Sequence, residues 1–262
     1  MTPHPVQRAR AGAQLFTVRK HMRTLADATE TFRRIRAIGY EVVQLSGLGP
    51  EVDRAQAADA LRAAGLRAAV LRVAWPRLRD QVDEVIAEQR LFDCRHAALG
   101  SLPREYRDAA GLERFLREMK PVLARFAEEG IYFTHHNHQH EFARINGGTW
   151  LAGLLRGTDA GAVGLELDTY WVQAGGGDPA AWIRACRGRL PNLHVKDMVI
   201  DNEGQQRFAP VGEGNLNWEA VFEAAGEAGV ETLLVEQDDC YEDDPFECLA
   251  RSYAFLKGHG FS

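Results

Sequence analysis

The chain has 262 residues, of which 45% are hydrophobic and 26% charged, and this balance excludes a disordered chain and favours one large globular domain. The net charge of −6 argues against a nucleic-acid partner, because proteins that bind nucleic acids present a basic surface. The first ten residues lack the apolar run of a signal peptide, and no segment has the length of a membrane span. Four cysteines without a CxxC pair are typical of reduced thiols, so we expect a cytoplasmic protein with no membrane partner.

Strands and helices are predicted to alternate along almost the whole chain. Residues 1–10 are predicted to form an N-terminal tail and residues 11–262 a single domain. The predicted strands are 11–18, 40–45, 66–73, 95–99, 131–133, 163–165, 190–195 and 233–235. The predicted helices are 26–38, 53–64, 78–91, 112–129, 149–155, 178–187, 218–228 and 245–256, several of them ended by glycine.

Eight strand–helix units in one domain favour an α/β fold of the single (β/α)8 TIM-barrel type. An open doubly wound sheet is the alternative, but the GxGxxG fingerprint expected after its first strand is missing, and the glycines at 175–177 lie elsewhere without that spacing. In a barrel, the residues that follow the strands meet at one rim, where chemistry is carried out.

Four stretches place metal-competent side chains at that rim: 134–142 (THHNHQHEF), 165–171 (LELDTYW), 193–197 (LHVKD) and 233–239 (LLVEQDD). Asp168 and Glu236 each end an apolar run, and His194 lies inside one. Taken alone, Asp168 is also typical of a helix cap and His194 of a buried core residue. Together they favour a shared divalent cation.

The histidine-rich stretch 135–141 has two interpretations. A surface tract that binds metal loosely is one, and a strand end that faces the rim is the other. Glu141 completes a ligand set of two glutamates, one aspartate and one histidine, while His136 and His138 are alternatives to it or additions. Asp238 and Asp239 are expected to lie in a solvated acidic loop.

A cation at this rim suits one class of reaction. It would act as a Lewis acid on the carbonyl and hydroxyl oxygens of a ketose and stabilise an enediolate. Glu141 and Glu236 would then remove a proton from one face of the substrate and return it to the other. We therefore expect an enzyme with a sugar or keto-sugar substrate, and Mn²⁺ as the ion, with Mg²⁺, Co²⁺, Fe²⁺ or Zn²⁺ as alternatives.

The chain resembles the sugar phosphate isomerase/epimerase family, the xylose isomerase-like TIM barrels. The motifs that carry the resemblance are GAQLFTVR at 12–19, HHNHQHEF at 135–142, LELDTYWVQAGGGDP at 165–179, LHVKDM at 193–198, PVGEGNLNW at 210–218 and VEQDDC at 235–240. The resemblance implies a metal held by Glu141, Asp168, His194 and Glu236, with both glutamates and Lys196 in catalytic roles. The substrate-binding residues that we expect are Gln14, His136, His138, Trp171 and Arg207, the last either holding an anionic group or lying on the surface.

The chain departs from the pattern of some branches of this family at the ends of two predicted strands. Trp171 stands where ketose 3-epimerases carry a histidine three residues after the ligand aspartate, and Arg72 and Trp75 stand where relatives end the third strand in a histidine. The HNHxxEF form resembles a branch that acts on keto-sugars, inososes or glycosides. The main expectation is a metal-dependent sugar isomerase or epimerase, and the alternative is a keto-sugar or inosose dehydratase or lyase. A homo-oligomer is compatible with this kind of barrel.

Overall fold

The computed structural model describes residues 9–262, which form a closed barrel of eight parallel strands with helices outside it. The predicted (β/α)8 fold is confirmed. The predicted tail lies outside the described residues except for Ala9 and Arg10, and Arg10 already belongs to the first strand.

The barrel strands, in chain order, are β1 (Arg10–Gln14), β2 (Val42–Leu45), β3 (Arg67–Val73), β4 (His96–Leu99), β5 (Tyr132–His136), β6 (Val163–Asp168), β7 (Asn192–Val195) and β8 (Thr232–Val235). The helices are α1 (Leu25–Ile38), α2 (Arg54–Ala63), α3 (Trp75–Asp80), α4 (Val82–Leu91), α5 (Ala109–Glu128), α6 (Trp150–Arg156), α7 (Thr169–Ala174), α8 (Pro179–Ala185), α9 (Trp218–Ala228) and α10 (Pro245–Gly258). Each strand pairs with the next in the chain, and the pairing of β1 with β8 closes the barrel.

Local sequence signals account for many helix boundaries. Thr24 and Asp27 form a reciprocal capping box that starts α1. The Asp178 side chain caps α8 and Pro179 occupies its first turn. Gly229 ends α9 with φ 78°, a left-handed conformation that glycine adopts without strain.

Two predicted elements differ from the structure. The strand predicted at 11–18 ends at Gln14, because the Gln14 side chain accepts the N–H of Phe16 and starts a 3-10 helix at Leu15–His21. The helix predicted at 78–91 is divided into α3 and α4 at Gln81, whose φ of −137° and ψ of 38° are not helical.

Two short antiparallel hairpins add to the barrel. One pairs Arg144–Ile145 with Gly148–Thr149, and the other pairs Asp197–Ile200 with Gln206–Ala209. Both follow the carboxyl ends of barrel strands, so they lie on the rim where side chains converge.

The interior of the barrel is layered. Val42, Val70 and Leu234 belong to a small apolar cluster inside the barrel. Two residues further along the same strands, and therefore on the same inward face, the side chains become polar. A larger apolar core fills the space between the strands and the surrounding helices. Within residues 9–262, no helix is long and apolar enough to cross a membrane.

Candidate active site at the carboxyl end of the barrel

Four adjacent strands bring four metal-competent side chains to one point inside the rim. His136 ends β5, Asp168 ends β6, His194 lies in β7 and Glu236 directly follows β8. One ligand atom of each lies within 4.8 Å of those of the others, and all four residues are buried. We call these four residues the inner cluster.

His194 is the residue through which the inner cluster is connected. Its Nδ1 lies 3.0 Å from Glu236 Oε2, and its Nε2 lies 2.5 Å from Gln44 Oε1 and 3.2 Å from Glu166 Oε2. Burial alone would lower the pKa of His194, but the carboxylates of Glu166 and Glu236 raise it well above its ordinary value. The position therefore favours positive charge.

Lys196 provides positive charge beside the inner cluster. Its Nζ lies 3.0 Å from Asp168 Oδ2, 2.7 Å from Glu236 Oε2 and 3.0 Å from Asp238 Oδ2, and the side chain is 1% exposed. Burial would lower the pKa of Lys196, but the neighbouring carboxylates, Asp168 first, raise it. Lys196 is therefore a protonated ammonium at neutral pH, 5.3 Å from the centre of the Trp171 ring.

Glu236 stays ionised although it is fully buried. Burial would raise its pKa, but Lys196 and then His194 hold it well below its ordinary value. Arg72 adds a third contact, with Nη1 3.4 Å from Glu236 Oε1, while its Nη2 donates to the carbonyl of Gly100 at 2.5 Å. Arg72 thus links the ends of β3, β4 and β8 around this carboxylate.

The formal charges at this site leave room for a divalent cation. Four carboxylates (Glu166, Asp168, Glu236 and Asp238) face two permanent cations (Lys196 and Arg72), which gives a balance of −2 once His194 has released its proton, as a histidine that binds a metal must. Uncompensated buried charge is costly, and an ion of charge +2 would neutralise it.

The donor atoms also fit a cation. Both ring nitrogens of His136 are buried and have no hydrogen-bond partner within residues 9–262. Burial first, then the positive groups around it, lowers the pKa of His136 well below its ordinary value, so the imidazole is neutral. Neutral imidazole and carboxylate are the ligand types that borderline divalent metals prefer.

Glu141, which the sequence predicts as a ligand, lies in a different group. It sits on a 3-10 turn at Gln139–Phe142, beyond the end of β5, and its Oε2 accepts the N–H of His138 at 2.8 Å. Its Oε1 lies 3.1 Å from His135 Nε2, and His140 Nε2 lies 3.2 Å from Oε2. Burial would raise the pKa of Glu141, but His135 and His140 lower it. The structure therefore brings together three of the four predicted ligands and places His136 beside them.

The family model described as a xylose isomerase-like TIM barrel matches residues 32–257. The chain belongs to this family. No curated protein matches the sequence, so solved structures supply the individual relatives.

Three solved structures illustrate the range of this xylose isomerase-like barrel. A sugar phosphate isomerase/epimerase from Parabacteroides distasonis is 20% identical with a TM-score of 0.78, over 95% of this chain and 94% of that one. A D-allulose 3-epimerase from Methylomonas sp., in complex with D-allulose, is 16% identical with a TM-score of 0.72, over 96% and 97%. A probable 3-DHS dehydratase from Bacillus anthracis is 12% identical with a TM-score of 0.71, over 95% and 98%. Epimerases and a dehydratase thus share the fold of this chain.

The predicted substrate-binding residues occupy different parts of the xylose isomerase-like rim. Gln14 is buried, accepts from Ser46 Oγ at 2.6 Å, and leaves its own buried Nε2 without a partner in the described chain. The His138 ring packs on Trp171, with centroids 5.2 Å apart. Arg207 is 42% exposed, with Nη1 3.8 Å from Asp201 Oδ2 and its guanidinium over the Tyr241 ring. Arg207 therefore has the surroundings of a surface residue, which was one of its two interpretations from the sequence.

The site includes residues for which no role was predicted. Gln44 binds both His194 and Glu166 inside the barrel, and the signal for it is a glutamine at an inward position of an otherwise apolar strand. Asp238 was expected in a solvated loop, and that prediction is wrong. Its side chain is only 24% exposed and accepts from Lys196, and burial followed by the charge of Glu236 raises its pKa.

Proposed function

We propose that this protein is a divalent-metal-dependent sugar isomerase or epimerase that removes a proton next to a carbonyl. The observation that carries the proposal is the inner cluster: two imidazoles and two carboxylates, buried and converging at the carboxyl ends of β5 to β8. In this proposal His136, Asp168, His194 and Glu236 hold the ion, with His136 in the place that the sequence assigned to Glu141. A bound divalent cation would supply a Lewis acid that polarises the carbonyl of the substrate.

The protein's own groups provide the proton chemistry. Glu236 is a buried, ionised carboxylate, and a general base must be ionised before it can accept a proton. Lys196 holds a proton 2.7 Å from that carboxylate. It can donate a hydrogen bond to an oxygen of the substrate on which negative charge develops.

Several side chains keep these groups in position. Arg72 holds Glu236 from the side of β3, and Gln44 holds His194 from the side of β2. Thr169 Oγ1 donates to the carbonyl of Lys196 at 2.8 Å, which fixes the backbone from which Lys196 extends. Trp171 packs beside the ammonium and limits access of water. Trp171, Gln14 and His138 would line the pocket around the substrate.

The nature of the ligands bears on the metal. Two imidazoles with two carboxylates suit Mn²⁺, Fe²⁺, Co²⁺ or Zn²⁺ better than Mg²⁺, which prefers oxygen ligands and water. We propose Mn²⁺ as the first ion to test.

A dehydratase or lyase is the second candidate, and a specific contact favours it. The Lys196 ammonium also lies 3.0 Å from Asp238, so a second proton-carrying pair adjoins the base. Such a pair can protonate a departing hydroxyl group after the same first step. A solved dehydratase with this fold, at 12% identity, is consistent with that chemistry on this barrel.

One experiment tests both candidates. Protein loaded with Mn²⁺ is incubated with a panel of free and phosphorylated keto-sugars in D₂O, and the products are followed by NMR. An isomerase or epimerase incorporates deuterium next to the carbonyl and yields a sugar of the same mass apart from that label. A dehydratase yields a product that has lost water.

The controls separate metal binding from folding. Asp168→Ala and His194→Ala are expected to lose both bound metal and exchange, whereas His259→Ala, at an exposed histidine outside the site, is expected to retain both. Metal content that is unchanged in both site variants, while all proteins remain folded, would remove the basis of the proposal.

A further inference from the structure

A cavity of about 550 Å³ lies at the amino-terminal end of the barrel, opposite the inner cluster. The first residues of five barrel strands line it: Arg10 of β1, Arg67 of β3, His96 of β4, Asn192 of β7 and Thr232 of β8. We propose that this cavity binds a small polyhydroxylated phosphate monoester, with the phosphate at the mouth and the hydroxyl groups directed inward. The cavity is separate from the inner cluster, so the inference goes beyond the proposed function and does not depend on it.

The mouth of the cavity carries an excess of positive charge. Three exposed arginines line it, Arg10, Arg67 and Arg95, together with the exposed side chains of Asp93 and Glu231, which gives a formal charge of +1. Partial burial first, and then the charge of Arg10, lowers the pKa of Arg67. The two guanidinium groups therefore repel each other, and an anion bound beside them would offset that repulsion.

The guanidinium groups at the mouth are available to an anion. Within residues 9–262, those of Arg10, Arg67 and Arg95 form no hydrogen bond and no ion pair. Glu41, whose charge also acts on Arg67, is paired with Arg36 instead, at 3.1 Å. A guanidinium group presents its N–H donors in a planar fork that matches two oxygens of one phosphate. Exposed arginines are common on protein surfaces, so it is the interior of the cavity that distinguishes a binding site from ordinary surface charge.

Two buried nitrogens without partners lie in that interior. Asn192 is 3% exposed, and neither its Nδ2 nor the buried Nδ1 of His96 has a hydrogen-bond partner within residues 9–262. Both side chains point into the barrel, because strand alternation places Asn192 on the same face as His194, and His96 on the same face as Ala98. Burial lowers the pKa of His96, so its imidazole is neutral, with one nitrogen that donates and one that accepts. A buried polar atom without a partner costs free energy, and hydroxyl groups, which both donate and accept, can satisfy the amide and the imidazole.

The dimensions of the cavity favour an organic phosphate over a bare phosphate ion. Sites for small molecules usually measure about 300–1,000 Å³, and the cavity lies within that range. The small side chains of Ala68 and Ala69 line this space, and the carboxylates of Asp93 and Glu231 can accept hydrogen bonds from the hydroxyl groups of a ligand. The small apolar cluster that includes Leu234 lies between the cavity and the inner cluster, so the two sites are not continuous.

Calorimetric titration of the full-length, metal-free protein with glycerol 3-phosphate tests the site. Without a cation the inner cluster has excess negative charge, which disfavours phosphate there, so binding reports on the other end of the barrel. Wild type is expected to bind one glycerol 3-phosphate per chain, more tightly than inorganic phosphate, and to show no binding of glycerol. Arg67→Gln is expected to weaken binding about five- to tenfold, because a hydrogen-bonded charge at the mouth is lost. Arg207→Gln is the matched control, since it removes the same charge from an exposed arginine at the carboxyl end, and its affinity is expected to stay within about twofold of wild type.

Asn192→Leu tests the inner part of the ligand separately. Leucine is similar in size to asparagine but cannot form a hydrogen bond. We expect this substitution to weaken binding of glycerol 3-phosphate about fivefold and to leave binding of inorganic phosphate within about twofold of wild type. Circular dichroism and thermal melting verify that each variant is folded.

Each other result has a defined meaning. The absence of binding at millimolar glycerol 3-phosphate, or equal affinities of wild type and Arg67→Gln, would overturn the site. A loss of affinity in Arg207→Gln but not in Arg67→Gln would place the phosphate at the carboxyl end of the barrel and contradict the inference. Equal affinities for inorganic phosphate and glycerol 3-phosphate, both unchanged in Asn192→Leu, would overturn the monoester as the ligand. Arg67 is exposed, so its substitution tests the site even if Asn192→Leu does not fold, and none of these results bears on the proposed metal site.

Discussion

Asp197 immediately follows Lys196 in sequence, but its carboxylate stabilises the fold, and a single substitution can test this role. Its carboxylate is fully buried and accepts five hydrogen bonds, from the backbone N–H groups of Met198, Gly212, Gly214 and Leu216 and from the indole N–H of Trp218, at 2.7–3.3 Å. It therefore holds the rim loop 210–217 and the first residue of α9 against the end of β7.

Asp197→Asn keeps the size of the side chain but replaces one acceptor oxygen with a donor. At least two N–H groups then face an NH₂ group instead of an oxygen. Leaving a buried donor unpaired costs about 1–3 kcal/mol, so we expect the free energy of unfolding to fall by about 3–5 kcal/mol.

Urea unfolding of metal-free protein, followed by fluorescence, measures this loss. Asp201→Asn is the matched control, since the Asp201 carboxylate also accepts backbone N–H groups but in an exposed turn, and we expect a change below about 1 kcal/mol there. If Asp197→Asn unfolds within 1 kcal/mol of wild type, the five hydrogen bonds do not carry the stabilising role assigned to them.

Three further predictions concern charge, thiols and backbone. Lys196→Met leaves buried carboxylates without their cation, so we expect the free energy of unfolding in urea to fall by about 3–5 kcal/mol in metal-free protein and by less with Mn²⁺. The control Arg251→Met, at an exposed arginine, is expected to cost less than about 1 kcal/mol. An equal effect of both substitutions would contradict the charge balance. Burial raises the pKa of Cys94 to about 12 and the pKa of Cys186 to about 11, so iodoacetamide at pH 8 should modify neither thiol in the folded protein. Detection of either labelled cysteine by mass spectrometry would refute this prediction. Gly229→Ala is expected to lower the free energy of unfolding by about 1 kcal/mol, measured by thermal unfolding, because alanine disfavours the positive φ and nothing lies within 4 Å of the added Cβ. A much larger loss would indicate a contact that the structure does not have.

The fold could be predicted from the sequence because each strand–helix unit carries its own boundaries. Asp178 and Pro179 mark the start of α8, and Gly229 marks the end of α9, through local conformational preferences that tertiary packing does not override. The short helix α7 was not predicted. It begins at the residue after Asp168, whose side chain caps it, so one residue serves both as a strand end and as a helix cap.

A metal ligand could be predicted from the sequence where the residue lies on a strand or directly after it. It could not be predicted where the residue lies on a turn further along the chain. Asp168 and His194 are on β6 and β7, and Glu236 follows β8 directly, so the inward face of the barrel fixes their direction. Glu141 lies on the turn after β5, where strand alternation no longer applies. Alternation within β5 instead indicates His136, while His135 on the opposite face packs against Trp150 outside the strands.

Asp238 shows a different reason for failure. Two residues beyond Glu236, in a run of acidic residues, its sequence context is that of a solvated loop. It is partly buried, and its carboxylate accepts a hydrogen bond from Lys196, 42 residues earlier in the chain. A contact of that range depends on barrel closure, which local sequence does not encode.

The inner cluster draws its four residues from β5 to β8, which are consecutive both in the chain and around the barrel. The first four units contribute a wall instead, in which Gln44 and Arg72 are the contacts that reach the cluster from β2 and β3. Under the proposed function, all four residues that would hold the ion are thus encoded in the second half of the polypeptide, while the first half supplies contacts that fix their orientation. A chimera that joins the first four units of a related barrel to the last four of this chain, with those two contacts retained, would keep the metal site.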